Sequence, residues 1–185
     1  GIPIPTEPST TETPSTTTVP VHSSLNVKAS SNYFPEAVTQ YNAETDEVTV
    51  TYSFESSKDI LNTQWSLYYD PSVLSVSRDK NKASTVMPNF KGGRVVNFTP
   101  TDPETNNIID GKINGNASNL SLYDFSSEQT FVSVVFDVVK GLSGDIETAV
   151  NLDVYVLTVA ELNEDEELID SAIVPLINFG EICED

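Results

Sequence analysis

The sequence has few of the side chains on which enzymes and metalloproteins rely. Its 185 residues include one cysteine and one histidine. Cys183 has no second cysteine for an internal disulfide or a Cys-based zinc site, and His22 alone cannot build a histidine-rich metal centre. His22 also ends a proline-rich segment, which is a poor position for the base of a nucleophilic triad. We therefore expect no catalytic residue, no bound metal and no cofactor on this chain.

Basic side chains are also scarce. There are 9 Lys and Arg residues against 28 Asp and Glu, which gives a formal net charge of −19. Nucleic acids and anionic membranes are bound through basic side chains, so neither is expected as a partner. The longest apolar stretch, residues 131–139, is broken by Ser133 and Asp137 and is shorter than the roughly 18 residues of a membrane helix. We expect a soluble monomer without membrane insertion.

Motifs for phosphate or calcium binding are incomplete. Gly92-Gly93 lacks the lysine and helix that follow a phosphate-binding loop and is typical of a turn. Oxygen-bearing side chains alternate in one segment, at Asp102, Glu104, Asn106 and Asp110. An EF-hand is not predicted there, because Asn107 stands where its glycine belongs and Ile113 where its bidentate glutamate belongs. Acid pairs alone can hydrolyse glycosides, but no spacing selects two of the many acids, and a hydrolase ranks last.

Composition divides the chain into a proline- and threonine-rich segment, a domain and an acidic tail. Of the first 20 residues, five are proline and seven are threonine, a composition that favours a hydrated, extended spacer over a packed core. We expect residues 1–23 to be an extended or disordered linker, residues 24–182 to form one domain and residues 183–185 to be an acidic tail. Because the chain begins at Gly1, we expect a fragment of a longer protein.

The domain shows the two-residue period of β-strands. Val48, Val50, Tyr52 and Phe54 alternate with polar residues, and the row Trp65, Leu67 and Tyr69 does the same. This period places the apolar side chains on one face of each strand. Eight or nine such segments, separated by turn-forming clusters and with no convincing helical period, predict an all-β sandwich of two antiparallel sheets.

One segment carries a family resemblance. Residues 64–76 form an alternating strand that ends in Tyr69-Asp70-Pro71 and is followed by the pair Val73-Leu74. The segment resembles the third strand of cohesin modules and the turn after it. Three further segments resemble the family's second strand, the lead-in to its sixth strand and its eighth strand, in that order: residues 47–54, 110–113 and 130–139.

The resemblance covers residues 24–182 and implies a cohesin-like, nine-stranded jelly-roll β-sandwich. Cohesins bind a dockerin module carried by an enzyme or another scaffold subunit. They are non-catalytic parts of extracellular or cell-surface scaffolding proteins in bacterial cellulosomes, which degrade polysaccharides. Calcium is then expected on the dockerin partner and not on this chain.

The resemblance also indicates a docking surface. In the family, dockerin packs on the sheet that contains the third, fifth, sixth and eighth strands. The matching positions are Asn62, Gln64, Ser66 and Tyr68 on the third strand, Asn114 and Asn116 on the sixth, and Val132 on the eighth. Without the resemblance, the four third-strand residues are better explained as the solvated face of a half-exposed strand; with it, both interpretations stay open. Trp65 alternates with them and is expected to be a buried anchor of the core.

Two other functions stay open besides dockerin binding. One is a carbohydrate-binding module, with polysaccharide as the partner, and the other is an adhesive or structural segment of a bacterial surface protein. Sugar binding requires exposed, coplanar aromatic side chains, and the candidates are Tyr33, Tyr68 and Tyr123.

Overall fold

The computed structural model describes residues 1–3, 22–97, 104, 111–162, 164–165 and 168–173. Within these residues it contains ten strands and one short helix, α1 (Ala83–Val86). The strands are β1 (His22–Ser31), β2 (Val38–Asn42), β3 (Glu47–Phe54), β4 (Ile60–Tyr69), β5 (Leu74–Ser75), β6 (Arg94–Asn97), β7 (Lys112–Tyr123), β8 (Gln129–Val138), β9 (Gly144–Leu162) and β10 (Leu168–Ile173).

The strands form two sheets. The first has the order β1-β9-β4-β7-β6, with β10 also paired to β9, and the second has the order β2-β3-β8-β5. β1 runs parallel to β9, and the remaining pairs are antiparallel. Successive parts of the chain cross repeatedly between the two sheets, as in a jelly roll. The predicted all-β sandwich is confirmed, and the described residues add β2, a strand that the sequence did not predict.

The core lies between the two sheets and is rich in aromatic rings. The apolar rows of β3 and β4 face inward, and Tyr52 and Trp65 are fully buried, which confirms Trp65 as a core anchor. The ring centroid of Phe131 on β8 lies 4.9 Å from that of Phe34 and 5.0 Å from that of Phe90. Such contacts between offset or edge-on rings add to the free energy gained by burying their surface.

The turn after β4 is held by its aspartate, as the sequence predicts. The Asp70 carboxylate accepts hydrogen bonds from the hydroxyl of Ser72 (2.6 Å) and from its backbone N–H (2.9 Å). Both bonds favour the ionised carboxylate and hold the pKa of Asp70 below its usual value. The backbone N–H of Leu74 donates to the Asp70 carbonyl over 2.9 Å. These bonds end β4 and start β5, which belongs to the other sheet.

Two sequence-based placements are wrong. Residues 130–139, which match the family's eighth strand and were expected in the docking sheet, lie in and just after β8, in the second sheet. The strand that pairs with β4 in the first sheet, besides β7, is β9. The segment before β6 contains α1, although no helix was predicted. At its end β9 pairs antiparallel with β10. Residues 174–182, at the end of the predicted domain, lie outside the described residues.

Most of the predicted linker (residues 4–21) and all of the acidic tail (residues 183–185) lie outside the described residues. Among the residues that are described, no helix combines the length and the apolar character needed to cross a bilayer.

Candidate functional site

The outer face of the first sheet contains a shallow, open concavity of about 410 Å³. It is formed by three adjacent strands, with β4 in the middle. The lining residues are Gln64, Ser66 and Tyr68 from β4, Lys112, Asn114, Gly115 and Asn116 from β7, and Tyr155 from β9. Polar side chains predominate over apolar ones on this surface.

The register of β4 and β7 explains why these side chains meet. The opposed pairs are Tyr68 with Lys112, Ser66 with Asn114 and Gln64 with Asn116. Opposed residues in neighbouring strands point to the same face of a sheet, and that face is the outer one because Trp65 and Leu67 point into the core. Five of the seven predicted residues therefore line one concavity. Asn62 lies in the next outward row, opposite Ser118, beyond the lining residues.

The predicted position of Val132 is wrong. Val132 lies on β8 in the second sheet, opposite Tyr52, and its side chain is 0% exposed. The register of β3 and β8 shifts after Tyr52, so that Phe131 and Val132 are both buried. A β-bulge interrupts simple alternation in this way. Val132 is therefore a core residue and is not available to a partner.

Ser66 and Asn114 form a pair at the centre of the concavity. The Ser66 hydroxyl donates to Oδ1 of Asn114 over 2.6 Å. Ser66 itself is buried, whereas Asn114 is half-exposed. The bond engages one lone pair of the Asn114 carbonyl oxygen and does not use the two N–H donors of the NH₂ group. Ser66 therefore orients the Asn114 side chain and exposes little surface of its own to a partner.

Tyr68 and Lys112 form a second pair. The Lys112 ammonium lies 5.4 Å from the centroid of the Tyr68 ring, a distance at which a cation is attracted to the negative face of the ring. The Tyr68 side chain is 41% exposed. Lys112 was not among the predicted site residues, although its alternation with Asn114 and Asn116 in the sequence indicates the same face.

Tyr155 on β9 completes the lining, and its position depends on a bulge. Trp65 is opposite Val154 and Gln64 is opposite Val156, so Tyr155 is the extra residue between two pairs. Its side chain is 49% exposed. The Asn32 side chain supports the bulge, because its amide donates to the carbonyl of Val154 (2.9 Å) and accepts from the N–H of Val154 (2.8 Å). Sequence reasoning missed Tyr155 because it did not assign β9 to this sheet.

The charges on this face are unevenly distributed. Lys112 lies on β7, and Arg94 on β6 is opposite Asn116. Asp153, on β9, is opposite Ser66 on the other side of β4. Neither Lys112 nor Arg94 forms an ion pair with an acid in the described part of the chain, where Lys80 bridges Glu47 and Asp137 on the second sheet.

The structure also bears on the aromatic candidates for sugar binding. Tyr123 is buried, and its hydroxyl donates to the Lys91 carbonyl over 3.1 Å. Tyr33 is half-buried, with its ring centroid 5.3 Å from that of Phe34 and 5.7 Å from that of Phe54. Tyr33 and Tyr123 are therefore wrong as exposed platforms, and Tyr68 is exposed as predicted. Across the described ranges, no three His, Cys, Asp or Glu side chains gather as a metal-binding group.

Comparisons with known proteins returned structures only. No protein-family model matches the chain, and no curated protein matches it. Among solved structures, it is similar to the seventh ScaB type I cohesin from Pseudobacteroides cellulosolvens, with 15% identity, a TM-score of 0.44, and coverage of 81% of this chain and 84% of that chain.

Two further structures are similar to this chain at lower TM-scores. The sixth cohesin of scaffoldin B from Acetivibrio cellulolyticus, solved in complex with a Cel5 dockerin mutant, has 15% identity and a TM-score of 0.35 and covers 80% of this chain and 94% of that chain. A non-cellulosomal cohesin from the archaeon Archaeoglobus fulgidus has 9% identity and a TM-score of 0.36, and the match covers 70% of this chain and 88% of that chain. The three solved structures are all cohesins.

Proposed function

We propose that this chain is a non-catalytic interaction module that binds a dockerin module through the outer face of β4, β7 and β9. One observation carries the proposal. The residues that match partner-facing positions of cohesins in the sequence converge on a single open concavity, although they come from two strands about 50 residues apart: Gln64, Ser66, Tyr68, Asn114 and Asn116.

The shape and chemistry of the face favour a protein partner. Small-molecule sites are deep and mostly apolar, and they enclose most of their ligand, whereas this concavity is open and mainly polar. Protein interfaces are enriched in tyrosine and arginine at the positions that contribute most to binding. Tyr68 and Tyr155 are the exposed aromatic residues that line the concavity. Arg94 lies on β6, opposite Asn116.

We further propose that the module belongs to an extracellular scaffolding protein of the cellulosome type. The proline- and threonine-rich composition of the first 20 residues and the net charge of −19 support this setting, because both are typical of spacers and soluble surfaces outside the cell. In that arrangement calcium is bound by the dockerin, and this chain needs no metal of its own.

The test is direct binding. Dockerin-bearing proteins from the source organism are captured on the immobilised chain in the presence of calcium, and the dockerin modules of the captured proteins are measured by isothermal titration calorimetry. Substitution of both Gln64 and Tyr68 by alanine is expected to weaken binding about tenfold or more, because tyrosines at interface centres contribute strongly. The melting temperature should change little, since both side chains point away from the core.

The matched control is Tyr41→Ala on β2. Tyr41 is 40% exposed, close to the value for Tyr68, but lies in the second sheet. Its substitution should leave dockerin binding unchanged. Failure to capture any dockerin, or equal affinity of the Gln64/Tyr68 double variant and the wild-type chain, would reject the proposed function.

Glycan binding is the second candidate, and one observation favours it. Tyr68 and Tyr155 are both exposed and line the same concavity from β4 and β9. A glycan array followed by affinity electrophoresis with soluble polysaccharides distinguishes the two functions. Sugar binding that is lost in Tyr68→Ala, together with absent dockerin binding, would replace the leading proposal with this one.

A further inference from the structure

We propose that the β7 side of this face receives an acidic side chain of the dockerin partner, with Lys112 as its charge partner and Asn114 as a second hydrogen-bond donor. The inference rests on the proposed function and specifies the chemistry of the partner at that site. It follows from three features of the face: the donors left free at its centre, the position of its cations and the separation of its charges.

The first feature is the state of the Asn114 amide. An asparagine side chain offers one acceptor oxygen and two N–H donors. The Ser66 hydroxyl already donates to the oxygen over 2.6 Å, which leaves one lone pair of that oxygen and both N–H donors of Asn114, so donors predominate at this side chain. Lys112 is two residues earlier on the same face of β7 and is a donor without acceptor capacity. A partner group that satisfies both must be an acceptor, and a carboxylate is the acceptor that also matches the charge.

The second feature is the half-exposed and unneutralised position of Lys112. Its ammonium lies over the Tyr68 ring at 5.4 Å, and no acid in the described residues forms an ion pair with it. The ring contact positions the ammonium beside the concavity without cancelling its charge. Arg94 adds a second cation on the neighbouring strand, opposite Asn116.

The third feature is that positive and negative charges occupy different strands of the face. Lys112 and Arg94 lie on β7 and β6, whereas Asp153 lies on β9, across the central strand. The net charge of the chain is −19, but exposed charges farther away than a Debye length of about 8 Å are largely screened at physiological ionic strength. The nearby Lys112 therefore determines the sign of charge that binds best over β7.

Charge reversal on both partners tests the inference. The dissociation constant of the captured dockerin is measured for the wild-type chain and for Lys112→Gln, Lys112→Glu and Lys140→Glu. The last variant makes the same charge change in the exposed turn after β8, outside the concavity. Each acidic residue on the surface of the dockerin, outside its calcium loops, is then changed to lysine. The dissociation constant of each dockerin variant is measured with the Lys112→Glu chain.

We expect Lys112→Gln to weaken binding several-fold and Lys112→Glu to weaken it roughly tenfold or more, since like charges across an interface repel. Lys140→Glu should bind as the wild-type chain does. One acid-to-lysine variant of the dockerin should restore most of the affinity for Lys112→Glu. The melting temperature and the emission of Trp65, the single tryptophan, report whether each variant is folded, and Lys112→Gln decides the outcome if Lys112→Glu does not fold.

The two proposals fail in different ways. If the wild-type chain binds a dockerin and Lys112→Glu binds within twofold of it, the acidic-partner inference is wrong and the proposed function stands. A loss of affinity that no acid-to-lysine change restores also overturns the inference. If the wild-type chain binds no dockerin, the proposed function is wrong, and the inference is wrong with it.

Discussion

The indole ring of Trp65 packs directly against the backbone of Gly115 on the neighbouring strand. The two residues are opposed in the register of β4 and β7, and a Cβ built on Gly115 would overlap Cζ2 and Cε2 of the indole. Gly115 also lines the concavity on the opposite side of the sheet. The absent side chain therefore lets a large core ring lie directly beneath the candidate docking face.

Gly115→Ala is accordingly expected to destabilise the protein by about 1–3 kcal/mol, the usual cost of overpacking a core. Urea denaturation followed by circular dichroism, which does not depend on the single tryptophan, measures this change in all the variants. Trp65→Phe in the Gly115→Ala background should recover part of the loss, because a smaller ring leaves room for the new methyl group. An unchanged denaturation midpoint in Gly115→Ala would show that the indole moves aside without cost.

Gly141→Ala is the matched control, because its cost has a different origin. Gly141 has φ +89°, a left-handed conformation, and a Cβ there would meet nothing within 4 Å. The expected cost of about 1 kcal/mol comes from backbone strain alone. Trp65→Phe should not alter that cost, which distinguishes strain from overlap.

The two-sheet architecture and the outward face of β4 could be predicted from sequence because both depend on local alternation. Trp65 faces inward and Gln64 outward for the same reason, and the structure agrees on both. Membership of a sheet depends on pairing between distant segments, which alternation does not encode. Val132 was therefore assigned to the wrong sheet, and Tyr155 was missed. Bulges at Phe131 and Tyr155 add the one-residue shifts that a strict two-residue period cannot represent.

Asn32 links the stability of β9 to the docking face. Its side chain makes the two hydrogen bonds to Val154 that a neighbouring strand would otherwise make. Asn32→Ala should cost about 1–3 kcal/mol, because it leaves backbone groups of β9 without partners. It should also weaken dockerin binding, since Tyr155 follows Val154 directly. Asn42→Ala, at an exposed asparagine on β2, is the control. Full affinity in Asn32→Ala would mean that the bulge keeps its conformation without the two hydrogen bonds from Asn32.

The burial of the Tyr52 hydroxyl leads us to predict a loss of stability at alkaline pH. Its side chain is fully buried, its hydroxyl donates to the Ser30 carbonyl over 2.8 Å, and burial raises its pKa. An unfolded tyrosine ionises near pH 10, so above about pH 10 the unfolded state loses a proton that the folded state keeps. The contribution of Tyr52 is complete below that pH and decreases as pH rises toward its pKa in the folded state.

Urea denaturation between pH 8 and 11.5 measures this dependence. Tyr52→Phe should cost about 1 kcal/mol at pH 8 through the lost hydrogen bond, and its stability should decline less steeply above pH 10 than that of the wild-type chain. Parallel curves for the two proteins would show that Tyr52 ionises in the folded state as readily as in the unfolded state.

Ser66 and Asn114 should behave as one unit in binding. Ser66 is buried and bonded to Asn114, so it is expected to act on a partner only through the orientation of that amide. Asn114→Ala should therefore lower the affinity for a captured dockerin more than Ser66→Ala does. The double variant should bind no more weakly than Asn114→Ala alone, because removing Asn114 leaves Ser66 nothing to position. Isothermal titration calorimetry on the wild-type chain, the two single variants and the double variant completes this double-mutant cycle. Additive losses of binding free energy would mean that Ser66 contacts the partner itself.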